Sequence, residues 1–199
     1  MIIYKGTPMI ETQRLVLRKI EMNDASRMFD YIFSDHRVMD NLIKGPHKAI
    51  SETIDRLTEI TNHYVSENFC YWGIEMKESG ELIGTIDLYN IDDGTENCEV
   101  GYNIGFNWWN QGYGSEALHA IVEFAFRFMN IHKISATHNI DNPASGRIML
   151  KVGMKREGII RHMIRKNNQY KDCGIYGILQ QEYLEMNFLN PIPILNVVH

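Results

Sequence analysis

The stretch Glu99-Val100-Gly101-Tyr102-Asn103-Ile104-Gly105-Phe106, running on through Asn107-Trp108-Trp109-Asn110 into Gln111-Gly112-Tyr113-Gly114-Ser115-Glu116-Ala117, decides the fold. Its first half alternates: Cys98, Val100, Tyr102 and Ile104 fall on one side of an extended chain, and Glu99, Gly101 and Asn103 on the other. Its second half is a glycine turn that opens directly into an amphipathic helix over 115–129, with Leu118, Ile121, Val122, Ala125 and Phe128 on the apolar stripe. Two glycines let the backbone turn sharply, so several N–H groups and the positive end of the helix can converge on one anion. With a ligand this is a pyrophosphate site; without one it is an ordinary glycine turn. The lysine and hydroxyl of a nucleoside-triphosphate loop are missing, and so are the third glycine and ribose acid of a dinucleotide fingerprint. A different phosphorylated cofactor is left.

Working outward, two more strand-like runs, 69–76 and 82–91, precede the run over 96–106. Turn signals at Glu78-Ser79-Gly80 and Asp92-Asp93-Gly94 separate the three, which predicts an antiparallel meander. Towards the N-terminus, 14–20 alternates as a strand, and Asn23 or Asp24 starts a helix carrying Met28, Ile32 and Phe33 inward. After Gly45-Pro46 a second helix is expected to stack Ile50, Ile54, Leu57, Tyr64 and Val65, with Glu52 and Arg56 paired on its wet side. Towards the C-terminus, 132–138 reads as a short strand, 142–152 as a helix ended by Gly153, and 154–165 and 170–179 as closing strands joined at Asn167-Asn168. The order is mixed α/β: a central, mostly antiparallel sheet with helices on both faces. No linker or repeat divides it, so 1–199 is expected to be one domain with its core over about 9–180 and an irregular, proline-broken arm over 187–199.

The 199 residues, 44% of them hydrophobic and 23% charged, suffice for one good core. A formal charge of -5 without clustered Lys and Arg argues against a nucleic-acid partner and suits a cationic substrate. Cys70, Cys98 and Cys173 lie far apart, form no zinc-ligand spacing and read as reduced thiols. None of the eight histidines forms a metal pair with an acid. No apolar run reaches membrane-spanning length and no export signal opens the chain, so a cytoplasmic protein without a membrane partner is expected.

The ordered set of motifs resembles the GCN5-related N-acetyltransferase (GNAT) superfamily, and within it the branch similar to the enzymes that acetylate ribosomal-protein amino termini. Glu11-Thr12-Gln13-Arg14-Leu15-Val16-Leu17-Arg18 looks like that branch's opening strand, Leu82-Ile83-Gly84 like its third, and Glu99-Val100-Gly101-Tyr102 like its fourth. Trp109-Asn110-Gln111-Gly112-Tyr113-Gly114-Ser115-Glu116-Ala117 looks like its cofactor loop, followed by Asn142-Pro143-Ala144-Ser145 and Lys151-Val152-Gly153-Met154. The resemblance covers about residues 9–180. Trp109, where many members carry Arg or Gln, and Met154, in place of an aromatic, depart from the pattern.

The resemblance implies acetyl-CoA bound in a splay between two strands. The backbone of Ile104, Gly105 and Phe106 would meet the pantetheine arm, and Gln111, Gly112, Tyr113, Gly114 and Ser115 would hold the pyrophosphate. Asn142 and Ser145 would lie near the sulfur.

Acetyl transfer needs an uncharged amine and a protonated leaving thiol. Glu99 is the candidate base, an acid on a strand face that neighbouring elements could cover, which would raise its pKa; on an open face it is only a solvated side chain. The tyrosine that many members use as an acid is replaced by Met149, which leaves Ser145 as the candidate, against its plain reading as a serine satisfying its own helix turn. Asp87 could face the amine or be solvated, His138 reads as a hydrogen-bonded wall residue more readily than as a second base, and Trp108, Trp109 and Tyr113 read as packing. The function expected is direct acetyl transfer from acetyl-CoA to a primary amine, on a protein N-terminus or on a small molecule such as a polyamine or an antibiotic-like amine. A non-catalytic acyl-CoA-binding module is the alternative from another class. Family habit and the apolar segment 188–198 also suggest a homodimer.

Overall fold

The computed structural model describes residues 1–40, 42, 45–166, 168–189 and 196–198. In chain order it places β1 (Met9–Glu11), β2 (Leu15–Arg18), α1 (Ala25–Met28) continuing into a π-helical turn (Phe29–Phe33), α2 (His36–Met39) and α3 (Ile50–His63). The meander follows as β3 (Cys70–Met76), β4 (Leu82–Asp92) and β5 (Asn97–Ile104). Then come α4 (Tyr113–Phe128), β6 (Lys133–Asn139), α5 (Pro143–Lys151), β7 (Lys155–Lys166), β8 (Gln169–Leu179), α6 (Gln180–Leu189) and β9 (Asn196–Val198).

Among the described residues the strands form one nine-stranded sheet in the order β7-β8-β6-β5-β4-β3-β2-β1-β9. Every pairing is antiparallel except β5 with β6. Alternation along the strands serves two cores. Trp72, Ile74, Ile86 and Val100 pack with Leu118, Ile121, Val122 and Phe124 of α4 and with Tyr183 of α6. Tyr71 and Leu82 pack on the other side with Ile20, Met28, Ile32, Leu57 and Ile60 from the helical segment before β3. Mixed α/β architecture with helices on both faces is thus what the pattern predicts. Met28, Ile32 and Phe33 are buried as expected, and α5 ends on Gly153 at φ +90, with the Met154 N–H returning to the Met149 carbonyl at 3.1 Å.

Five expectations are corrected. The strand expected over 14–20 is β2, but the stretch from Glu11 to Arg18 that resembles one opening strand is split between β1 and β2, because the Thr12 hydroxyl and backbone close a turn onto Leu15. The Asp24 carboxylate does not cap α1. It accepts from the Glu21 N–H at 2.8 Å and holds the Arg18 guanidinium at 2.8 and 2.9 Å, and Arg18 also donates to Glu75 at 2.6 Å. The buried stripe of α3 is Thr53, Leu57 and Ile60, while Ile50, Ile54 and Val65 are exposed. Thr53 can take a core position because His47 Nδ1 lies 2.8 Å from its hydroxyl, and Arg56 pairs with Glu59 instead of Glu52. The C-terminal arm is not wholly irregular: α6 continues to Leu189, and β9 adds to the sheet edge through Ile10↔Val197 and Glu11↔Asn196. Pro191, Pro193 and Asn167 lie outside the described residues, and no described helix is long and apolar enough to cross a membrane.

Candidate active site

The site begins where the single parallel pairing gives out. β5 and β6 run together only through Asn97↔Lys133, Cys98↔Ile134 and Glu99↔Ser135. Beyond that, β6 stays with β8 as far as Asn139↔Cys173, and β5 follows β4 to Gly84↔Ile104, so a wedge opens between the two strands. The Gly105 N–H donates to the Ile83 carbonyl at 2.8 Å, which sets the phase of the β4–β5 ladder. In that phase the backbone groups of Glu99, Gly101 and Asn103 face β4, and those of Val100, Tyr102 and Ile104 face the wedge.

A cavity of about 450 Å³ fills the wedge. Of the residues expected at the cofactor, Ile104, Gly112, Tyr113, Gly114, Ser115, Asn142 and Ser145 line it. Glu99, Gly105, Phe106 and Gln111 do not. Gly105 is committed to Ile83 and packs against the Trp108 ring and the Tyr31 carbonyl, while Phe106 lies under the Arg37 guanidinium, 3.8 Å from its ring centre. The Gln111 side chain turns away to the Asn107 carbonyl at 2.9 Å. The backbone of Val100 and Tyr102, which sequence reasoning missed, takes the wedge-facing role; the three-pair length of the β5–β6 contact is the signal, and it is visible only in three dimensions.

At one end of the cavity, Gly112 adopts φ +86 and delivers the chain into α4. The first bond of the helix is Glu116 N–H to the Gly112 carbonyl at 3.0 Å, so the N–H groups of Tyr113, Gly114 and Ser115 have no partner within the helix. A Cβ on Gly114 would press on Ile148 of α5 at 3.0 Å, which explains a second glycine two residues after the first. Unpartnered N–H groups at a positive helix end, open to a cavity, fit a pyrophosphate.

Towards the middle, the Tyr102 hydroxyl lies 2.9 Å from Ser145 Oγ and donates to the Ser145 carbonyl at 3.0 Å. Burial pushes the Tyr102 phenol well above its usual range, so it stays protonated. Met149 is buried in the wall. His138 also lines the cavity; its Nδ1 donates to the Asn139 carbonyl at 2.7 Å and its ring packs on Tyr176, with centroids 5.4 Å apart, as expected of a wall residue.

The two carboxylates stand on the opposite sheet face. Glu99 pairs across the ladder with Tyr89 and accepts from Asn90 Nδ2 at 2.8 Å. Asp87 pairs with Gly101, and a Cβ there would lie 2.9 Å from the Asp87 Oδ1, so the glycine makes room for the acid. Burial pushes the Asp87 carboxyl up to about 7, against the opposing pull of Arg56. Tyr89 and Gly101, between these acids and the wedge, line the cavity. Cys70, Cys98 and Cys173 are buried and none lines the cavity; burial raises all three thiols, Cys70 to about 12. Among the described residues no cluster of His, Cys, Asp and Glu could hold a metal ion.

A sheet splayed between two strands, with unpartnered helix N–H groups open to the splay, is an arrangement suited to an acyl-CoA-dependent transferase. The family model of the acetyltransferase (GNAT) domain matches residues 14–155. The uncharacterised N-acetyltransferase YoaA of Bacillus subtilis is 31% identical over 173 residues, 87% of this chain and 97% of its own. The [ribosomal protein uS5]-alanine N-acetyltransferase of Escherichia coli is 28% identical, over 82% of this chain and 86% of its own. The crystal structure of a GNAT-family acetyltransferase from Bacillus anthracis superposes with a TM-score of 0.77 at 28% identity, covering 87% of this chain and 99% of that one. The chain belongs to the GNAT acetyltransferase family. It is an acetyl-CoA-dependent N-acetyltransferase, and its acceptor is an amine.

Proposed function

We propose that the protein transfers the acetyl group directly to the α-amine of a polypeptide, with both substrates bound together. The observation that carries this reading is the composition of the cavity wall. Among the described residues it includes Val38, Leu42 and Ile164 and no Asp or Glu; Asp40 and Asp141, in the adjoining hollow that shares Leu42 and Ile164, are paired with Lys166 and Lys171. A polyamine needs carboxylates for its further ammonium groups, whereas a peptide N-terminus brings one amine and an otherwise uncharged chain. The E. coli relative that acts on a ribosomal-protein alanine supports this acceptor class. With no cysteine on the cavity wall to carry the acyl group, direct attack is the route.

Acetyl-CoA supplies an activated thioester carbonyl. Tyr113, Gly114 and Ser115 would hold its pyrophosphate by backbone N–H groups, and Val100 and Tyr102 would offer backbone groups along the wedge, where the Ile104 carbonyl is already taken by Trp109 Nε1 at 2.7 Å. Asn142 opens α5 beside Ser145. Ser145, hydrogen-bonded to Tyr102, would steady the departing thiolate by a hydrogen bond, and the sulfur takes up a proton that the attacking nitrogen gives off, so that no serine alkoxide is left behind. Glu99 accepts the amine's proton through water by way of the Tyr89 side of the cavity, and Asp87, held near neutrality, stands beside it as a second acceptor. Initial rates with an alanine-initiated peptide and with spermidine test the acceptor class: kcat/KM for the peptide exceeds that for spermidine by roughly tenfold or more. The reverse order would return the protein to the polyamine reading.

A further inference from the structure

The turn between β1 and β2 sits on the N-terminal end of α4, although about a hundred residues of chain separate them. Glu116, in the first turn of α4, gathers three donors from that hairpin. The Thr12 hydroxyl and the Arg14 N–H donate to its Oε1 at 2.7 and 2.8 Å, and Arg14 Nε donates to its Oε2 at 2.7 Å. The guanidinium then lies over the Tyr113 ring, 4.4 Å from its centre, and Nη1 donates to the Gln111 carbonyl at 3.1 Å. These contacts fix the plane of the guanidinium and use its Nε and one of its two terminal nitrogens. The remaining nitrogen, Nη2, stands 3.3 Å from the point a Cβ on Gly112 would occupy, and has no hydrogen-bond acceptor among the described residues; Arg14 does not itself line the cavity, and meets the site through its place beside Gly112, which does.

This arrangement answers an electrostatic problem. A glutamate in the first helical turn favours the helix when nothing is bound, but it repels an anion arriving at the same N–H groups. Arg14 cancels that charge and leaves one N–H edge turned towards the turn that Gly112 makes. The pairing also explains why an arginine suits this position better than a lysine, since the fork can hold Glu116 and a phosphate oxygen at once.

We propose that Arg14 is a further cofactor-binding residue, its Nη2 edge taking a pyrophosphate oxygen of acetyl-CoA beside Gly112 while Glu116 fixes the guanidinium. The inference rests on the reading that Gly112 to Ser115 hold the pyrophosphate.

The test compares acetyl-CoA with S-acetyl-pantetheine, which carries the same thioester arm and no phosphate. For Arg14→Gln, the Kd of acetyl-CoA by calorimetry rises roughly tenfold to a hundredfold, while kcat/KM with S-acetyl-pantetheine stays within about twofold of wild type. Arg14→Lys recovers part of the affinity. Raising the salt from about 0.05 to about 0.5 M weakens wild type more than Arg14→Gln. Equal losses with both thioesters would show that Arg14 only holds the hairpin on α4, and no loss with either would remove it from the site; both overturn the proposal. Arg14→Lys, which keeps the positive charge beside Glu116, carries the same comparison if Arg14→Gln fails to fold, and predicts a smaller loss confined to acetyl-CoA. A Gly112→Asp, Gly114→Asp protein separates the two readings. If it binds acetyl-CoA like wild type, the pyrophosphate assignment itself fails; if it loses binding while Arg14→Gln does not, only the role of Arg14 fails.

Discussion

Asp87 and Glu99 show how far single residues can be read from sequence and where that reading stops. Alternation places Glu99 on the face opposite Val100 and Tyr102, and the structure agrees. Alternation alone does not show that Glu99 lies beside the still-paired start of the wedge, which depends on where β6 leaves β5, or that Asp87 is deeply buried within reach of Arg56, which depends on how the helical segment packs on β4. Glu99→Gln is expected to slow turnover roughly a hundredfold with acetyl-CoA affinity retained. Full turnover in that variant, with the loss appearing in Asp87→Asn, would pass the role to Asp87. The Asp87 charge also leaves a mark on stability. Its folded pKa of about 7 is above the ordinary carboxylate value, so its contribution favours the fold at low pH and is lost as pH rises towards 7. Asn carries no such charge, so the melting temperature of Asp87→Asn relative to wild type increases from about pH 5 to about pH 8. A constant difference would mean that Asp87 titrates as a solvated acid.

Among the elements, the most regular patterns were the most legible. The three meander strands and α4 fall within a few residues of where alternation and the apolar stripe predict them. The stripe of α3 was misread because a buried threonine with a histidine partner looks polar in sequence, and exposed isoleucines look like core. The hairpin of β1 and β2 was hidden because a threonine turn carries neither glycine nor proline. Gly84, one residue in a recognised motif, gains a physical reason at this scale. A Cβ there would overlap the Asn103 carbonyl oxygen and crowd Ile104, so the glycine lets β4 and β5 close up at the mouth of the wedge. Gly84→Ala is expected to cost roughly 1–3 kcal/mol in urea denaturation and to raise the KM for acetyl-CoA. A neutral effect on both would mean that the strand ends are free to separate.

For the molecule as a whole, composition pointed to a cationic substrate, whereas the cavity wall points to a particular way of taking one: a single amine on an uncharged chain, with the surplus acids placed elsewhere. The loop proposed to bind the cofactor was legible because its glycines are needed locally, Gly112 for its positive φ and Gly114 for its closeness to Ile148. The Tyr102–Ser145 pair and the Arg14–Glu116 pair were not, since each joins residues far apart in the chain. Everything proposed about mechanism depends on acetyl-CoA lying between this loop and the wedge. Calorimetric titration of acetyl-CoA into the wild-type protein and into the Gly112→Asp, Gly114→Asp protein tests that most directly. Wild type is expected to bind in the micromolar range, on the order of 8 kcal/mol, and the variant not at all, since it puts carboxylates and strained backbone where the phosphates would sit. Equal binding by the two proteins would contradict it.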